Sequence, residues 1–275
     1  MASSQDHSII SVEYKGRYAV ITIDNPAKLN AMGAADYFEL SQALRQIDTH
    51  DEVFVTVILA KGRFFSAGAD VSISRAAPAD ADENTTYRFW LSNFVANNLN
   101  VTDAFSKHSK ILVIGLNGPV VGLSAALVSF GDFIYAAPHA FLLTPFSSIG
   151  LVTEGGASRA LVQRLGPAKS MEALVMSKRI YAPELERAGY VNAIFDEGDD
   201  VKFNARVLKE VDDRLGDHLN GDSLTGIKKL IRGPEREIID NQNVKEVFAG
   251  LQRFLKGIPQ EEFRKLATGE KRHKL

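Results

Sequence analysis

Apolar residues along the chain alternate between two spacings, and the switches between them lay out its elements. Val12, Tyr14 and then Val20-Ile21-Thr22-Ile23 flank Lys15-Gly16-Arg17, which predicts a β-hairpin. Tyr37, Leu40, Leu44 and Ile47 recur at steps of three and four, the mark of an amphipathic helix. Residues 53–59 form a continuous apolar run of strand length, rich in β-branched side chains, and a loop over 62–70 follows. The Ala, Pro, Asp and Glu of 76–84 predict a mobile surface segment, and 87–105 a helix. A strand at 111–116, the turn Asn117-Gly118-Pro119 and a buried helix near 123–130 come next. Short strands at 133–135 and 141–143 precede a helix over 155–165, closed by Gly166-Pro167. A second helix over 167–178 and a strand at 190–195 complete this part. Beyond it the pattern is helical: 201–215, 223–232, 234–255 and 261–267. Strands alternating with helices, followed by helices alone, predict an α/β core over 1–200 and a helical region over 201–275.

Composition removes several readings. The stretch 111–131 carries no charge over 21 residues, long enough for a membrane span of about 20. Asn117-Gly118-Pro119 interrupts it with turn residues, so it reads as buried core rather than as a span. Residues 1–16 lack the basic-then-apolar pattern of a signal peptide, and without secretion the sequons at Asn84 and Asn100 are coincidental. Lys and Arg number 32 against 34 Asp and Glu, a net charge of −2, which gives no electrostatic reason to expect nucleic acid or an anionic membrane as partner. The absence of cysteine excludes disulfides, thiolate zinc sites, iron–sulfur ligation and thiol nucleophiles. The histidines (7, 50, 108, 139, 218 and 273) show no metal-ligand spacing, so no metal is expected. The last three residues, His273-Lys274-Leu275, are similar to the peroxisomal Ser-Lys-Leu signal. They predict recognition by the peroxisomal import receptor through the terminal carboxylate of Leu275.

Three glycine-bearing segments follow apolar strands: Ser66-Ala67-Gly68-Ala69-Asp70, the segment from Gly118 to Ser124, and Thr153-Glu154-Gly155-Gly156. None matches a Walker loop or a dinucleotide fingerprint. Together they suggest backbone amides paired around an oxyanion. Gly122-Leu123-Ser124-Ala125-Ala126 is a degenerate nucleophile elbow, which Asp196 and His218 would complete as an acyl hydrolase. Against that, Asn117-Gly118-Pro119 separates Ser124 from its strand. Glu154 is the only acidic residue between Asp132 and Glu172. In the first turn of a helix it would suit the helix dipole, whereas desolvated among Ile149, Leu151 and Val152 it would suit a general base acting on a carbon acid. Asn98 falls on one helical stripe with Phe94, Val101 and Phe105, so its amide either bonds nearby backbone or faces the site and orients Glu154 or a water.

Four blocks in register, Asn25–Ala31, Gly62–Asp70, Asn117–Leu127 and Gly150–Gly156, resemble the crotonase (enoyl-CoA hydratase/isomerase) superfamily, most closely its fungal peroxisomal Δ3,Δ2-enoyl-CoA isomerases. The resemblance covers residues 10–200 most clearly. It implies a spiral of ββα units with a C-terminal helical trimerisation region, assembled as a homotrimer or homohexamer. It also implies an acyl-CoA thioester substrate, with no cofactor besides the coenzyme A that the substrate carries. The amides of Ala69 and Leu123 would form the oxyanion hole, and Lys28, Leu29, Ser66, Ala67, Gly68 and Asp70 would line the coenzyme A and acyl site. At the positions of the two hydratase glutamates this chain has Ala126 and Phe146, neither able to carry a proton, and Phe146 would line an apolar pocket instead. Of the two carboxylates implied for dienoyl-CoA isomerases, only Glu154 remains. The expected reaction is therefore a one-base shift of a 3-enoyl-CoA double bond to trans-2-enoyl-CoA, as in β-oxidation of unsaturated fatty acids. The alternatives are other crotonase-type acyl-CoA chemistry (dienoyl-CoA isomerase or hydratase), a catalytically silent coenzyme A-binding scaffold, and the Ser124 hydrolase.

Overall fold

The computed structural model describes residues 8–70 and 80–272. The terminal targeting tripeptide and residues 76–79 of the 76–84 segment lie outside the described residues. A six-stranded sheet runs in the order β1 (Ile10–Lys15), β2 (Tyr18–Ile23), β3 (Val55–Ala60), β4 (Ile111–Leu116), β6 (Phe133–Ala136) and β9 (Ala193–Ile194). The first pair is the expected hairpin, and every later pairing is parallel. A smaller sheet joins β5 (Val120–Val121), β7 (Phe141–Leu143) and β8 (Ile180–Tyr181).

Strands β3 and β4 are buried at every residue, and their side chains alternate between two cores. Ile58, Leu112 and Ile114 pack with Leu40, Leu44 and Ile47 of α1 (Ala34–Asp48) on one face. Val55, Val57 and Val113 pack on the other with Phe203, Val207 and Val211 of α8 (Asp200–Leu215). A period of two buried on both faces is why these strands read as unbroken apolar runs.

The expected helix over 87–105 begins earlier, at α2 (Glu83–Trp90), where the Asp82 side chain accepts from the Thr85 N–H at 2.7 Å. It passes through one π-helical turn at Leu91–Val95 into α3 (Ala96–Lys107). The buried helix after β5 is α4 (Gly122–Leu127). The helix predicted from Gly155 forms only as α5 (Ala160–Leu165), because Gly155 and Gly156 hold φ of +69° and +72°, outside the right-handed helical region. Then come α6 (Pro167–Leu174), the unanticipated α7 (Ala182–Arg187), α9 (Gly221–Arg232), α10 (Arg236–Leu255) and α11 (Ile258–Ala267). Among the described residues no helix is long and apolar enough to cross a membrane. Helix α10 returns across α2, the π turn and α3, stacking Phe254 on Trp90 at 4.3 Å between ring centroids.

Candidate active site

Close approaches that only glycine permits bring three segments together. A single bridge pairs Ser66 with Val120 and lays the 66–70 loop along β5. At Gly68, with φ +87°, an added Cβ would stand 2.8 Å from the Val121 carbonyl oxygen. At Gly155 an added Cβ would meet the Ala126 Cβ and Leu123 Cδ1, each at 2.8 Å, so the Glu154 loop rests directly on α4. Glycines at these two positions are a steric requirement of the assembly.

The first two segments present their amides in complementary ways. Ala69 bridges Met32, but the bonds run from the Met32 N–H to the Gly68 carbonyl and from the Asp70 N–H to the Met32 carbonyl, each at 2.9 Å. The N–H of Ala69 itself therefore points away from Met32. Leu123 is the second residue of α4, where an N–H has no partner carbonyl within its own helix. Both residues line a cavity of about 190 Å³ together with Glu154 and Asn98. Its apolar wall includes Trp90, Phe94 and Phe254, supplied by the α2–α3 rod and by α10.

Asp70 and Glu154 are the carboxylates lining this cavity. Asp70 pairs with the Lys28 ammonium at 2.9 Å, a contact at the mouth since the lysine side chain is 58% exposed. Glu154 lies in a non-helical turn, which removes the helix-dipole explanation for a carboxylate there. Asn98 is buried, its Nδ2 donates to the Phe94 carbonyl at 3.4 Å, and its Oδ1 is buried without a hydrogen-bond partner. Both readings of this amide thus have a counterpart: one end bonds the backbone, and the residue borders the cavity.

The other expected positions frame the cavity rather than line it. Leu29 takes φ +53° and its carbonyl accepts from the Ala67 N–H at 2.9 Å, tying the two loops edge to edge. Asn30 beside it, also left-handed, donates from Nδ2 to the Lys61 and Phe64 carbonyls at 2.8 Å. The Ser66 hydroxyl donates to the Asn30 carbonyl at 2.8 Å and accepts from the Gly68 N–H at 3.1 Å, which fixes the loop from within. Phe146 departs from expectation. It is 1% exposed in the core, where its carbonyl accepts from the Leu151 N–H at 2.8 Å, so it supports the approach to Glu154 without forming the cavity wall.

The hydrolase arrangement does not assemble. The Ser124 hydroxyl is buried between the Tyr37 hydroxyl at 2.8 Å and the Ser66 hydroxyl at 2.9 Å. Asp196 and His218 line two other depressions, apart from Ser124 and from each other. Among the described residues no three His, Asp or Glu side chains cluster as a metal site.

Two contributors were missed in the sequence. Phe254 and Glu246 both come from α10, which the helical periodicity located without showing where it docks. Glu246 is 4% exposed, and its carboxylate accepts from the N–H groups of Gly156 and Ser158, each at 2.7 Å. The available signal was an acid on the apolar stripe of Ile239, Val247 and Leu251.

Known proteins resemble this chain over most of its length. The family model described as Enoyl-CoA hydratase/isomerase matches residues 13–218. A relative from Pyricularia oryzae named Delta(3,5)-Delta(2,4)-dienoyl-CoA isomerase is 62% identical over 97% of this chain and 99% of its own length. One from Saccharomyces cerevisiae named 3,2-trans-enoyl-CoA isomerase is 36% identical over 97% of this chain and 96% of its own. A crystal structure of an enoyl-CoA hydratase/isomerase from Pseudoalteromonas atlantica superimposes with a TM-score of 0.82 at 23% identity, over 97% of this chain and 100% of that one, and speaks for the fold. The chain has a crotonase fold and belongs to the enoyl-CoA hydratase/isomerase family.

Proposed function

We propose that the protein is an isomerase of unsaturated acyl-CoA thioesters in which Glu154 alone moves the proton, converting a cis- or trans-3-enoyl-CoA to trans-2-enoyl-CoA. The observation that carries this reading is the content of the cavity: a carboxylate, Glu154, bordering apolar walls beside the amides of Ala69 and Leu123, while Asp70 is tied to Lys28. The thioester oxygen accepts from those two amides. Glu154 takes a proton from C2, which the thioester and the adjacent double bond both acidify. The resulting dienolate is held by the oxyanion hole, where one donor is typically worth roughly 3–4 kcal/mol. Glu154 then returns the proton to C4, the electron pair moves to C2–C3, and the carboxylate is regenerated. No water and no cofactor enters the balance. Hydration would need a second proton carrier, and the matching positions hold Ala126 and Phe146, both buried.

A second reading has its own support, since the 62% identical relative carries the name of a dienoyl-CoA isomerase. On a 3,5-dienoyl-CoA the same first step yields an extended dienolate, and protonation at C6 gives the 2,4-dienoyl-CoA. Offering both substrates to the protein and to Glu154→Gln separates the readings by product. A silent scaffold would bind both thioesters and turn over neither.

The same reading extends to assembly and location. Ile227, Leu230 and Ile231 expose apolar side chains on α9, suited to the homotrimer or homohexamer expected of the family. We place the protein in the peroxisome, delivered by the import receptor through His273-Lys274-Leu275.

A further inference from the structure

The loop that carries Glu154 rests on α4 at Gly155 and closes one turn of its own, the Ala157 N–H donating to the Glu154 carbonyl at 3.3 Å. It lies outside any regular helix or strand, and its next two residues are left-handed glycines. Such a pair leaves the backbone many alternatives. Further restraint comes from α10 and from Glu235 just before it. The Arg253 guanidinium donates to the Gly150 carbonyl at 2.8 Å, Gln242 donates to the Ser158 hydroxyl at 3.3 Å, and Arg159 pairs with Glu235 at 2.7 Å. In the middle of this row stands Glu246. One carboxylate oxygen accepts from the Gly156 N–H and the other from the Ser158 N–H, each at 2.7 Å. It therefore grips the chain two and four residues beyond Glu154.

That grip carries a cost. Burial pushes the Glu246 carboxyl above its usual range, against the pull of its hydrogen bonds, and among the described residues no lysine or arginine pairs with it. An unpaired buried carboxylate is expensive, and only the donors of this loop offset it. A glutamine or a methionine would fill the volume at lower electrostatic cost. What a carboxylate adds is two acceptor oxygens for two divergent backbone N–H groups, which an amide cannot supply.

We propose that Glu246 is a positioning residue, holding the 153–158 loop in the conformation that aims Glu154 at the acyl chain. This rests on Glu154 being the base. In Glu246→Gln an amide NH2 must face one of the two N–H donors, so the loop gains a second conformation while the cavity wall stays in place. Misplacing a reacting group by about 1 Å costs on the order of 100-fold, so kcat should fall roughly 10- to 100-fold. KM and the affinity for the trans-2-enoyl-CoA product should stay within about two-fold, since binding is made elsewhere.

The full-length protein, Glu246→Gln and Glu246→Asp are compared for kcat, KM, product affinity and thermal midpoint. The aspartate variant keeps both oxygens on a shorter arm and serves if the glutamine variant does not fold. A fall in kcat at unchanged KM and product affinity, in a variant folded at the assay temperature, is the expected result. A lowered thermal midpoint with kcat unchanged would reduce Glu246 to a structural brace and overturn the proposal. A wild type that turned over neither thioester would overturn it too, by removing the reading on which it rests.

Discussion

At Gly68 a methyl group has nowhere to go. The left-handed φ of +87° disfavours any side chain, and the Val121 carbonyl oxygen blocks the added carbon at 2.8 Å. Gly68→Ala must push apart the segments that bear Ala69 and Leu123, and misplacing one oxyanion donor costs roughly 10²–10³ in kcat. Steady-state kinetics on a folded variant should show that loss; a fall of less than about three-fold would mean that the Ala69 amide is not a donor to the thioester. Ser124 gives the opposite expectation. Its hydroxyl joins Tyr37 to Ser66 inside the frame, so Ser124→Ala should cost about 1–3 kcal/mol of stability and leave kcat within a few-fold. Abolished turnover in a stable Ser124→Ala protein would reopen nucleophilic catalysis. These residues differ in how far the sequence disclosed them. Glu154 stood out as a lone acid among apolar and glycine neighbours. Glu246 did not, because its partners are backbone groups about 90 positions away and only the docking of α10 brings them within reach.

Elements were legible where one period governed the whole segment, as in the hairpin, α1, β4 and α8. They were misread where backbone conformation overrode composition: the two left-handed glycines delay α5, and one π turn interrupts the α2–α3 rod. The end of that rod supplies a pH-dependent joint. His108 caps α3 with Nε2 2.7 Å from the Thr56 hydroxyl of β3 and Nδ1 3.1 Å from the Asp48 carboxylate of α1. Burial drives the His108 pKa below its ordinary 6.5, against the opposing pull of Asp48. As pH falls below 6.5, the unfolded chain takes up a proton that the folded state refuses, so stability declines from that point downward. Asp132 adds a later loss. Burial raises it, yet Lys228 and Arg232 of α9 hold it below 3.8, so its contribution is present above that value and disappears in stronger acid. Thermal midpoints measured from pH 7.5 down to about 5 should fall for the wild type and fall less for His108→Gln. Equal slopes would show that this joint does not titrate in that range.

At the scale of the whole molecule, two kinds of surface meet in the cavity. The α/β core supplies Ala69, Leu123 and Glu154, while the helical region supplies Phe254 to the apolar wall and Glu246 behind the Glu154 loop. The cavity thus draws on both sides of the expected division at residue 200. This joining was hidden in the sequence, since periodicity places helices along the chain without saying against what they pack. The central claim is that one carboxylate carries the proton, and it is tested most directly by incubating 3-enoyl-CoA and 3,5-dienoyl-CoA with wild type and Glu154→Gln and identifying the products. The expected result is trans-2-enoyl-CoA from the wild type, and loss of nearly all turnover in a folded Glu154→Gln protein that still binds acyl-CoA. Undiminished turnover by Glu154→Gln would contradict the one-base mechanism and place the proton carrier elsewhere.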